Sequence, residues 1–365
     1  MQRRVLLGLA GTLPLGCTAV AQSSAPGLRE LARARGMSFG TAVRSEKLEA
    51  DPILSALVAR EADLIVPEWE GKWDVIQPER GRFEFEPLRA VMRFAQAQNQ
   101  RVRGHALLWH EAMPRWLAPA LAEGQSQAQQ ILETHITTVL AETRAGIRDW
   151  DVVNEVIAAP PGGDNPTPGS GDLRPTPWLA ALGPGYVERA LRIARQADPT
   201  LRLTINEFAV YSDTPWAQAK RDSLLRVVRG LLERNCPLDA IGIQGHLQMR
   251  EPFRPEPYVA FLRALRALGL AVLITELDVR EPDVLAPTIE GRDAAVAEYA
   301  GAFLQASRDG GVRSFLTWGL TDRDSWLVLE PGVARRDGVV TRGHPYDAEL
   351  RPKPLRARLA QFFSA

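Results

Sequence analysis

Residues 271–278 read AVLITELD, an apolar run rich in β-branched residues that ends in two carboxylates, Glu276 and Asp278. Such a run is typical of a strand in a parallel sheet that is covered on both faces. The same pattern, a short apolar run followed by a longer amphipathic stretch, recurs along the chain from residue 37 onward. Eight strand-then-helix units of this spacing predict an α/β fold, a single (β/α)8 or TIM barrel.

The predicted strands and helices alternate along the chain. The Pro- and Gly-rich segment 160–177 follows the fourth strand, and we interpret it as an enlarged loop at the barrel mouth rather than a linker. A doubly wound open sheet is the alternative fold, which is disfavoured because no Gly-x-Gly-x-x-Gly motif follows the first strand. The predicted strands are 37–43, 64–68, 102–109, 149–155, 202–208, 240–246, 271–278 and 314–319, and helical stretches include 86–98, 127–144, 186–197, 216–234, 257–268 and 294–309.

The composition indicates a globular protein without a strong electrostatic partner. The chain has 365 residues, of which 45% are hydrophobic and 24% are charged, as is typical of folded domains. Its 44 basic residues balance its 44 acidic residues, so no net charge attracts nucleic acid or an anionic membrane. We therefore expect a neutral substrate and no nucleic-acid partner.

The first 21 residues have the pattern of an export signal. Arg3 and Arg4 precede an apolar run and a small-x-small cleavage triplet, and the run is too short to span a bilayer. The paired arginines suggest the twin-arginine route, while Cys17 keeps a lipoprotein open as an alternative. We expect a secreted or periplasmic monomer whose single catalytic domain spans residues 22–365, with no stable membrane partner unless it is lipidated.

Polar residues cluster at the carboxyl ends of the predicted strands, which form the rim where TIM barrels build their active sites. A buried strand has no structural need for a terminal carboxylate, because an unpaired buried charge is costly. Any one of these residues would fit a salt-bridged loop, but the set as a whole indicates a functional site. Its members are Glu68, His105, Trp109, Asn154, Glu155, Asn206, Glu207, Gln244, His246, Glu276, Asp278 and Trp318.

Carboxylates at this rim suit the cleavage of glycosidic bonds. That reaction needs two carboxyl groups flanking the bond, one to protonate the leaving oxygen and one to attack or to activate water. Glu155, Glu207 and Glu276 are the candidates. Glu155 and Glu276 lie on the fourth and seventh strands, which face each other across an eight-stranded barrel. A separation of about 5–5.5 Å would retain the anomeric configuration, and about 6.5–9.5 Å would invert it.

His246 is predicted to orient one of these carboxylates. Glu276 and Asp278 are two residues apart and project to the same side of their strand, where His246 on the neighbouring strand can bridge them. The bridge would keep Glu276 ionised. A competing interpretation is a metal-dependent hydrolase that uses His105, His110 and His246, but these histidines lack the tight spacing of metal ligands. We therefore expect no metal and no cofactor.

Tryptophans are numerous for a chain of this length, with nine in total. Indole faces near the rim would suit stacking on the apolar faces of sugar rings. Trp150 and Trp216 are instead expected to fill the core. The tryptophans in or near rim segments are Trp69, Trp73, Trp109, Trp116, Trp318 and Trp326.

Seven stretches resemble glycoside hydrolase family 10, the endo-1,4-β-xylanases, and they occur in the family's order over nearly the whole mature chain. They are VPEWEGKWD (66–74), GHALLWH (104–110), WDVVNE (150–155), INEF (205–208), GIQGHL (242–247), ITELDV (274–279) and TWGLTDRDSW (317–326).

The resemblance implies a retaining enzyme that cleaves internal bonds of xylan or xylo-oligosaccharides of the plant cell wall. It implies that Glu155 is the acid/base, Glu276 the nucleophile, and His246 with Asp278 the network that steadies it. The resemblance alone ranks Glu155 above Glu207, since each follows an asparagine at a strand end. The implied residues of the glycone subsites are Glu68, Lys72, His105, Trp109, Asn154, Gln244, Trp318 and Trp326.

Two positions depart from the family pattern. Trp69 replaces an asparagine that normally contacts sugar, and Ala112 stands near a position where the family often has glutamine. Losing these two hydrogen-bonding side chains predicts a preference shifted toward decorated or shorter chains. Two further interpretations remain, a β-glucanase or mixed xylan/glucan hydrolase on the same barrel, and a non-catalytic polysaccharide-binding protein, which the presence of both glutamates disfavours.

Overall fold

The computed structural model describes residues 25–158 and 171–365. The predicted export signal and most of the predicted mouth loop lie outside the described residues. The strands are β1 (Ser38–Val43), β2 (Leu64–Pro67), β3 (Arg101–Gly104), β4 (Ile147–Asn154), β5 (Arg202–Glu207), β6 (Ala240–Ile243), β7 (His246–Gln248), β8 (Ala271–Arg280) and β9 (Ser314–Thr317).

Helices follow the strands, and each predicted helical stretch corresponds to one of them to within a few residues. None of the described helices is long and apolar enough to cross a bilayer. The helices are α1 (Leu28–Ala34), α2 (Ser45–Ala50), α3 (Pro52–Glu61), α4 (Trp73–Ile76), α5 (Glu86–Ala97), α6 (Leu117–Leu121), α7 (Gln125–Thr143), α8 (Pro177–Leu182), α9 (Tyr186–Ala197), α10 (Pro215–Glu233), α11 (Pro255–Ala267), α12 (Ile289–Asp309), α13 (Trp326–Leu329) and α14 (Pro354–Ser364).

Eight parallel strands form a closed ring. Each pairs with the next in the order β1-β2-β3-β4-β5-β6-β8-β9, and β9 pairs again with β1, where Ser38 lies opposite Ser314. The short strand β7 pairs with β8 alone and extends the sixth position of the ring. The predicted (β/α)8 barrel is therefore confirmed and the open-sheet alternative is wrong; the seventh and eighth barrel strands are β8 and β9.

Two strands are shorter than predicted, because the chain bends where it enters the mouth. The third strand ends at Gly104 rather than residue 109, and Leu107 and Leu108 donate instead to the carbonyls of Asp151 and Val152 at 3.0 and 3.1 Å. The sixth predicted strand is interrupted between β6 and β7. These bends turn the side chains that follow each strand into the space above the barrel.

Large side chains fill the core between the strands and the surrounding helices. Trp150 is fully buried, as predicted. A Cβ on Gly104 would lie 2.2 Å from its indole, so only glycine fits at that position. Trp216 is only partly buried beside Phe208, with ring centroids 6.3 Å apart, so its predicted core role is wrong.

The first and last helices pack against each other near the start of β1. Arg356 donates from Nη2 to the carbonyl of Pro26 at 2.7 Å, and the Arg35 guanidinium donates to the carbonyl of Ser364. These contacts lie at the amino-terminal ends of the strands, at the opposite end of the barrel from the strands' carboxyl ends.

Candidate active site

A cleft of about 560 Å³ opens above the carboxyl ends of the strands. The residues predicted for catalysis and for the glycone subsites line it, except Asp278, which lies behind His246. Sequence reasoning did not assign Glu111, Tyr211 or the segment 330–333 to this surface. The predicted residues that line the cleft are Glu68, Lys72, His105, Trp109, Asn154, Glu155, Gln244, His246, Glu276, Trp318 and Trp326.

Glu155 directly follows β4 in a left-handed backbone conformation, with φ at 58°. Such conformations are unfavourable for non-glycine residues and often occur at functional sites. Its Oε1 accepts from Gln244 Nε2 at 3.1 Å and from Asn154 Nδ2 at 3.2 Å. Burial raises the pKa of Glu155, but the Gln244 hydrogen bond and nearby charges, including Lys220, outweigh it, so the pKa lies below its ordinary value.

Glu276 on β8 is held by two hydrogen bonds. Its Oε1 accepts from Asn206 Nδ2 at 2.6 Å, and its Oε2 lies 3.1 Å from His246 Nε2. The other ring nitrogen of His246 lies 3.0 Å from Asp278 Oδ2, which also accepts from Trp326 Nε1 at 2.6 Å. The structure thus contains the bridge predicted from the sequence.

His246 is an imidazolium at neutral pH. Burial lowers its pKa, but the Asp278 and Glu276 carboxylates outweigh burial and raise the pKa of His246 to about 10. A doubly protonated ring donates to both carboxylates at once. The hydrogen bond from His246 Nε2 therefore fixes the orientation of the Glu276 carboxyl group.

Asn206 links the two catalytic candidates. Its Nδ2 donates to Glu276 and also to Asn154 Oδ1 at 2.9 Å, and its Oδ1 accepts from Thr275 Oγ1 at 2.7 Å. A Cβ on Gly242 would lie 2.2 Å from Asn206 Oδ1, so only glycine at position 242 leaves room for the side-chain amide of Asn206. The sequence named Asn206 as a rim residue but gave it no role, although its Asn-Glu pair repeats that of Asn154 and Glu155.

Glu207, the third candidate carboxylate, faces away from this network. It is fully buried, and its Oε1 lies 2.7 Å from the equally buried Lys220 Nζ. It also accepts from the backbone amides of Ile157 at 2.9 Å and Phe208 at 3.0 Å. Because its oxygens are occupied and inaccessible, Glu207 is a structural residue, and the ranking of Glu155 above it now has a physical reason.

His105 is oriented from inside the barrel. Its Nδ1 lies 3.0 Å from Asp151 Oδ2, and the other oxygen of Asp151 pairs with the fully buried Arg103. Burial raises the pKa of Asp151, but Arg103 and His105 outweigh it and the pKa lies below the ordinary value. The ring of His105 packs 5.2 Å from that of Trp318 at the floor of the cleft. Asp151, within the WDVVNE motif, had not been assigned this role.

A cationic and aromatic cluster forms another wall. Arg44 donates to both oxygens of Glu68, at 2.8 and 2.6 Å. Lys72 Nζ lies 4.1 Å from the ring centroid of Trp69 and 4.6 Å from that of Trp109. Burial lowers the pKa of Lys72 and outweighs the nearby Glu68 and Glu276 carboxylates, which raise it. Its ammonium therefore has aromatic faces as near neighbours, a favourable setting for a cation.

Two of the rim tryptophans predicted from the sequence lie elsewhere. Trp73 is buried and stacks on His135 with ring centroids 3.4 Å apart, and Trp116 donates to the carbonyl of Gln77 at 3.0 Å. Neither lines the cleft: Trp73 begins the helix α4 that follows β2, and Trp116 directly precedes the helix α6 that follows β3. Ala112 is buried and also does not line the cleft.

The three histidines of the metal-dependent alternative have separate partners in the described part of the chain. His105 is paired with Asp151, and His246 with Glu276 and Asp278. His110 instead approaches Glu111 and Glu155, with possible ligand atoms within 4.8 Å of one another. This group includes a catalytic candidate and does not match the predicted metal site.

An eight-stranded barrel whose rim holds two carboxylates in one hydrogen-bonded network, beside tryptophan rings, is a glycoside hydrolase architecture. Residues 27–362 match the model for Glycosyl hydrolase family 10. The chain belongs to this family, and the resemblance seen in its motifs is confirmed.

The similarity to known proteins covers almost the whole chain. Endo-1,4-beta-xylanase B of Thermotoga neapolitana is 31% identical over 349 residues, covering 94% of this chain and 93% of the relative. The crystal structure of native xylanase 10B from Thermotoga maritima has a TM-score of 0.81 and 30% identity, covering 92% of this chain and 98% of its own. Xylanase 10B from Thermotoga petrophila, solved in complex with xylobiose, has a TM-score of 0.82 and 29% identity, covering 94% and 98%.

Proposed function

We propose that this protein is an endo-1,4-β-xylanase that hydrolyses internal bonds of xylan with retention of anomeric configuration. The observation that carries the proposal is the hydrogen-bonded chain from Glu155 through Asn154 and Asn206 to Glu276, which places both carboxylates in one cleft. Family membership and the xylanase relatives support the substrate, and the net charge of zero fits a neutral polysaccharide.

In the first step, a Glu276 oxygen attacks the anomeric carbon while the bond to the leaving sugar breaks. This step requires the protonated form of Glu155, which gives its proton to the leaving oxygen while a covalent glycosyl ester forms on Glu276. His246 supports this step because its Nε2 contacts and orients the nucleophile, while the contact of its Nδ1 with Asp278 holds the ring in place. Lys72, His105, Trp318 and the neighbouring polar groups position the sugar.

In the second step, Glu155 acts as a base. It takes a proton from water, the water oxygen attacks the anomeric carbon, and the Glu276 carboxylate leaves. The Gln244 hydrogen bond favours the ionised Glu155 that this step needs. Esterification removes the negative charge of Glu276. Because a nearby like charge disfavours the ionisation of a carboxyl group, the loss of that charge lowers the pKa of Glu155 further.

Product analysis on xylan tests substrate, cleavage mode and stereochemistry together. We expect short xylo-oligosaccharides, a β-anomer as the first product in NMR spectra, and preference for xylan over carboxymethylcellulose. Glu276→Gln should lower turnover by at least about 10³-fold while sparing binding, and the exposed Glu290→Gln serves as a matched control with normal activity. Undiminished turnover in Glu276→Gln, or an α-anomer released first, would contradict the mechanism.

We further propose that the protein is exported after cleavage near residue 21 and acts as a monomer. The paired arginines, apolar run and small-residue triplet in the sequence support the export. Amino-terminal sequencing of protein recovered outside the cytoplasm tests this proposal, and an uncleaved amino terminus would contradict it. Light scattering during size exclusion measures the assembly state.

A further inference from the structure

Trp69 is the one large hydrophobic residue that is both exposed and in the cleft, among the residues that the structure describes. Its side chain is 41% exposed. The other exposed large hydrophobics, Ile53, Val284, Ile289, Leu329, Val339 and Val340, do not line the cleft. An indole surface left open inside a binding cleft indicates a contact that a ligand completes.

The ring of Trp69 is held in place before any ligand arrives. Lys72 Nζ lies 4.1 Å from its centroid, and the Arg44 guanidinium carbon lies 5.5 Å from it. Arg44 is itself fixed by its two hydrogen bonds to Glu68. A ring restrained by two cations loses little freedom when it binds a ligand, so its contacts convert efficiently into affinity.

The position of Trp69 in the cleft follows from a series of contacts. Lys72, Trp109, Glu155 and Glu276 line the same cleft, and Lys72 Nζ lies 4.6 Å from the ring centroid of Trp109. Trp69 contacts Lys72. Lys72 is only 4% exposed and Trp69 is 41% exposed, so Trp69 lies on a more exposed part of the same wall. A sugar held between Glu155 and Glu276 would meet Lys72, and the adjoining sugar would meet Trp69.

We propose that Trp69 is a stacking platform for the sugar ring that adjoins the one at Lys72; the family resemblance, which assigns Glu68 and Lys72 to the glycone subsites, makes this the second ring on the glycone side of the scissile bond. This inference rests on the proposed function and adds a determinant that the usual family pattern lacks. The asparagine that the family usually has at position 69 forms a hydrogen bond with a sugar hydroxyl, whereas an indole contacts the C–H face of a pyranose. The platform therefore increases the affinity for substrates that have a second ring on the glycone side.

The test compares two chromogenic substrates that differ only in that ring, 4-nitrophenyl β-xyloside and 4-nitrophenyl β-xylobioside. We expect Trp69→Ala to lower kcat/KM about tenfold on the xylobioside, as loss of one apolar ring contact implies, and to leave the xyloside unchanged. Trp69→Phe should keep most of the xylobioside activity. Ile53→Ala, an exposed apolar residue outside the cleft, is the matched control and should alter neither substrate.

Binding provides a readout that does not depend on turnover. In the inactive Glu276→Gln background, calorimetry should show that Trp69→Ala weakens xylobiose binding about tenfold. An equal loss on both chromogenic substrates would mean that Trp69 only shields Lys72, and an unchanged preference for the xylobioside would also overturn the platform. Failure of the proposed function looks different, since the unmodified enzyme would then hydrolyse neither substrate nor xylan.

Discussion

Replacing Lys220 by methionine should destabilise the barrel strongly. Lys220 Nζ lies 2.7 Å from Glu207 Oε1, both side chains are fully buried, and the ammonium also lies 3.3 Å from the centroid of Phe208. Methionine keeps much of the length and packing of lysine but removes the charge. The Glu207 carboxylate would then be a buried anion with only backbone amides as donors.

The expected loss is about 3–5 kcal/mol of the free energy of unfolding, the usual cost of removing one partner of a buried ion pair. For a domain of this size, that corresponds to a fall in Tm of about 5–15 °C. The double variant Lys220→Met with Glu207→Gln should recover part of the loss, because no buried charge is left unpaired.

Differential scanning fluorimetry measures these differences. Lys47→Met is the matched control, because the Lys47 side chain is 39% exposed and its ion pair with Asp324 is long, at 4.0 Å; we expect a change of less than about 0.5 kcal/mol. If Lys220→Met is as stable as the unmodified protein, or if Glu207→Gln worsens it, the buried pair does not hold the fold in the way inferred here.

Three further predictions concern the catalytic network. Glu111→Gln removes a carboxylate that repels ionised Glu155, so the alkaline limb of the kcat/KM profile should move to lower pH; a shift upward would contradict the repulsion. Asn206→Ala should lower kcat about 10–100-fold with little change in KM, and steady-state kinetics on xylan with unchanged parameters would refute the role of its amide. The ring nitrogens of His246 should both remain protonated through pH 8 in ¹⁵N NMR spectra, because its pKa is about 10; titration near pH 6.5 would refute the bridge.

The barrel was predictable because each strand is covered on both faces and so appears in the sequence as an apolar run. Strand ends were harder to predict. The residues after Gly104 keep the apolar character of a strand, yet their backbone amides donate to β4 out of register with the preceding ladder. Periodicity detects burial and does not detect such a change of hydrogen-bond partners.

The site was predictable where two features coincided, a polar residue and a strand end. His246 between Glu276 and Asp278 is such a case, since its partners follow from residue spacing alone. Arg44 carried no comparable signal, because its pairing with Glu68 depends on how two loops approach each other. Trp73 shows the reverse, since a tryptophan in a rim motif turned inward onto His135.

The meeting of α1 with α14 has a use in engineering. Pro26 contacts Arg356 near the start of α14, whereas Ser364 at the end of α14 contacts Arg35, so the two helices run in the same direction along one seam. A linker of roughly the length of α14, about 16 Å, could join residues 26 and 364, and the chain could be opened in another surface loop. Such a circular permutant would keep every catalytic side chain on its own strand. A cargo fused at this seam would project from the pole opposite to that through which polysaccharide enters, leaving the groove unobstructed.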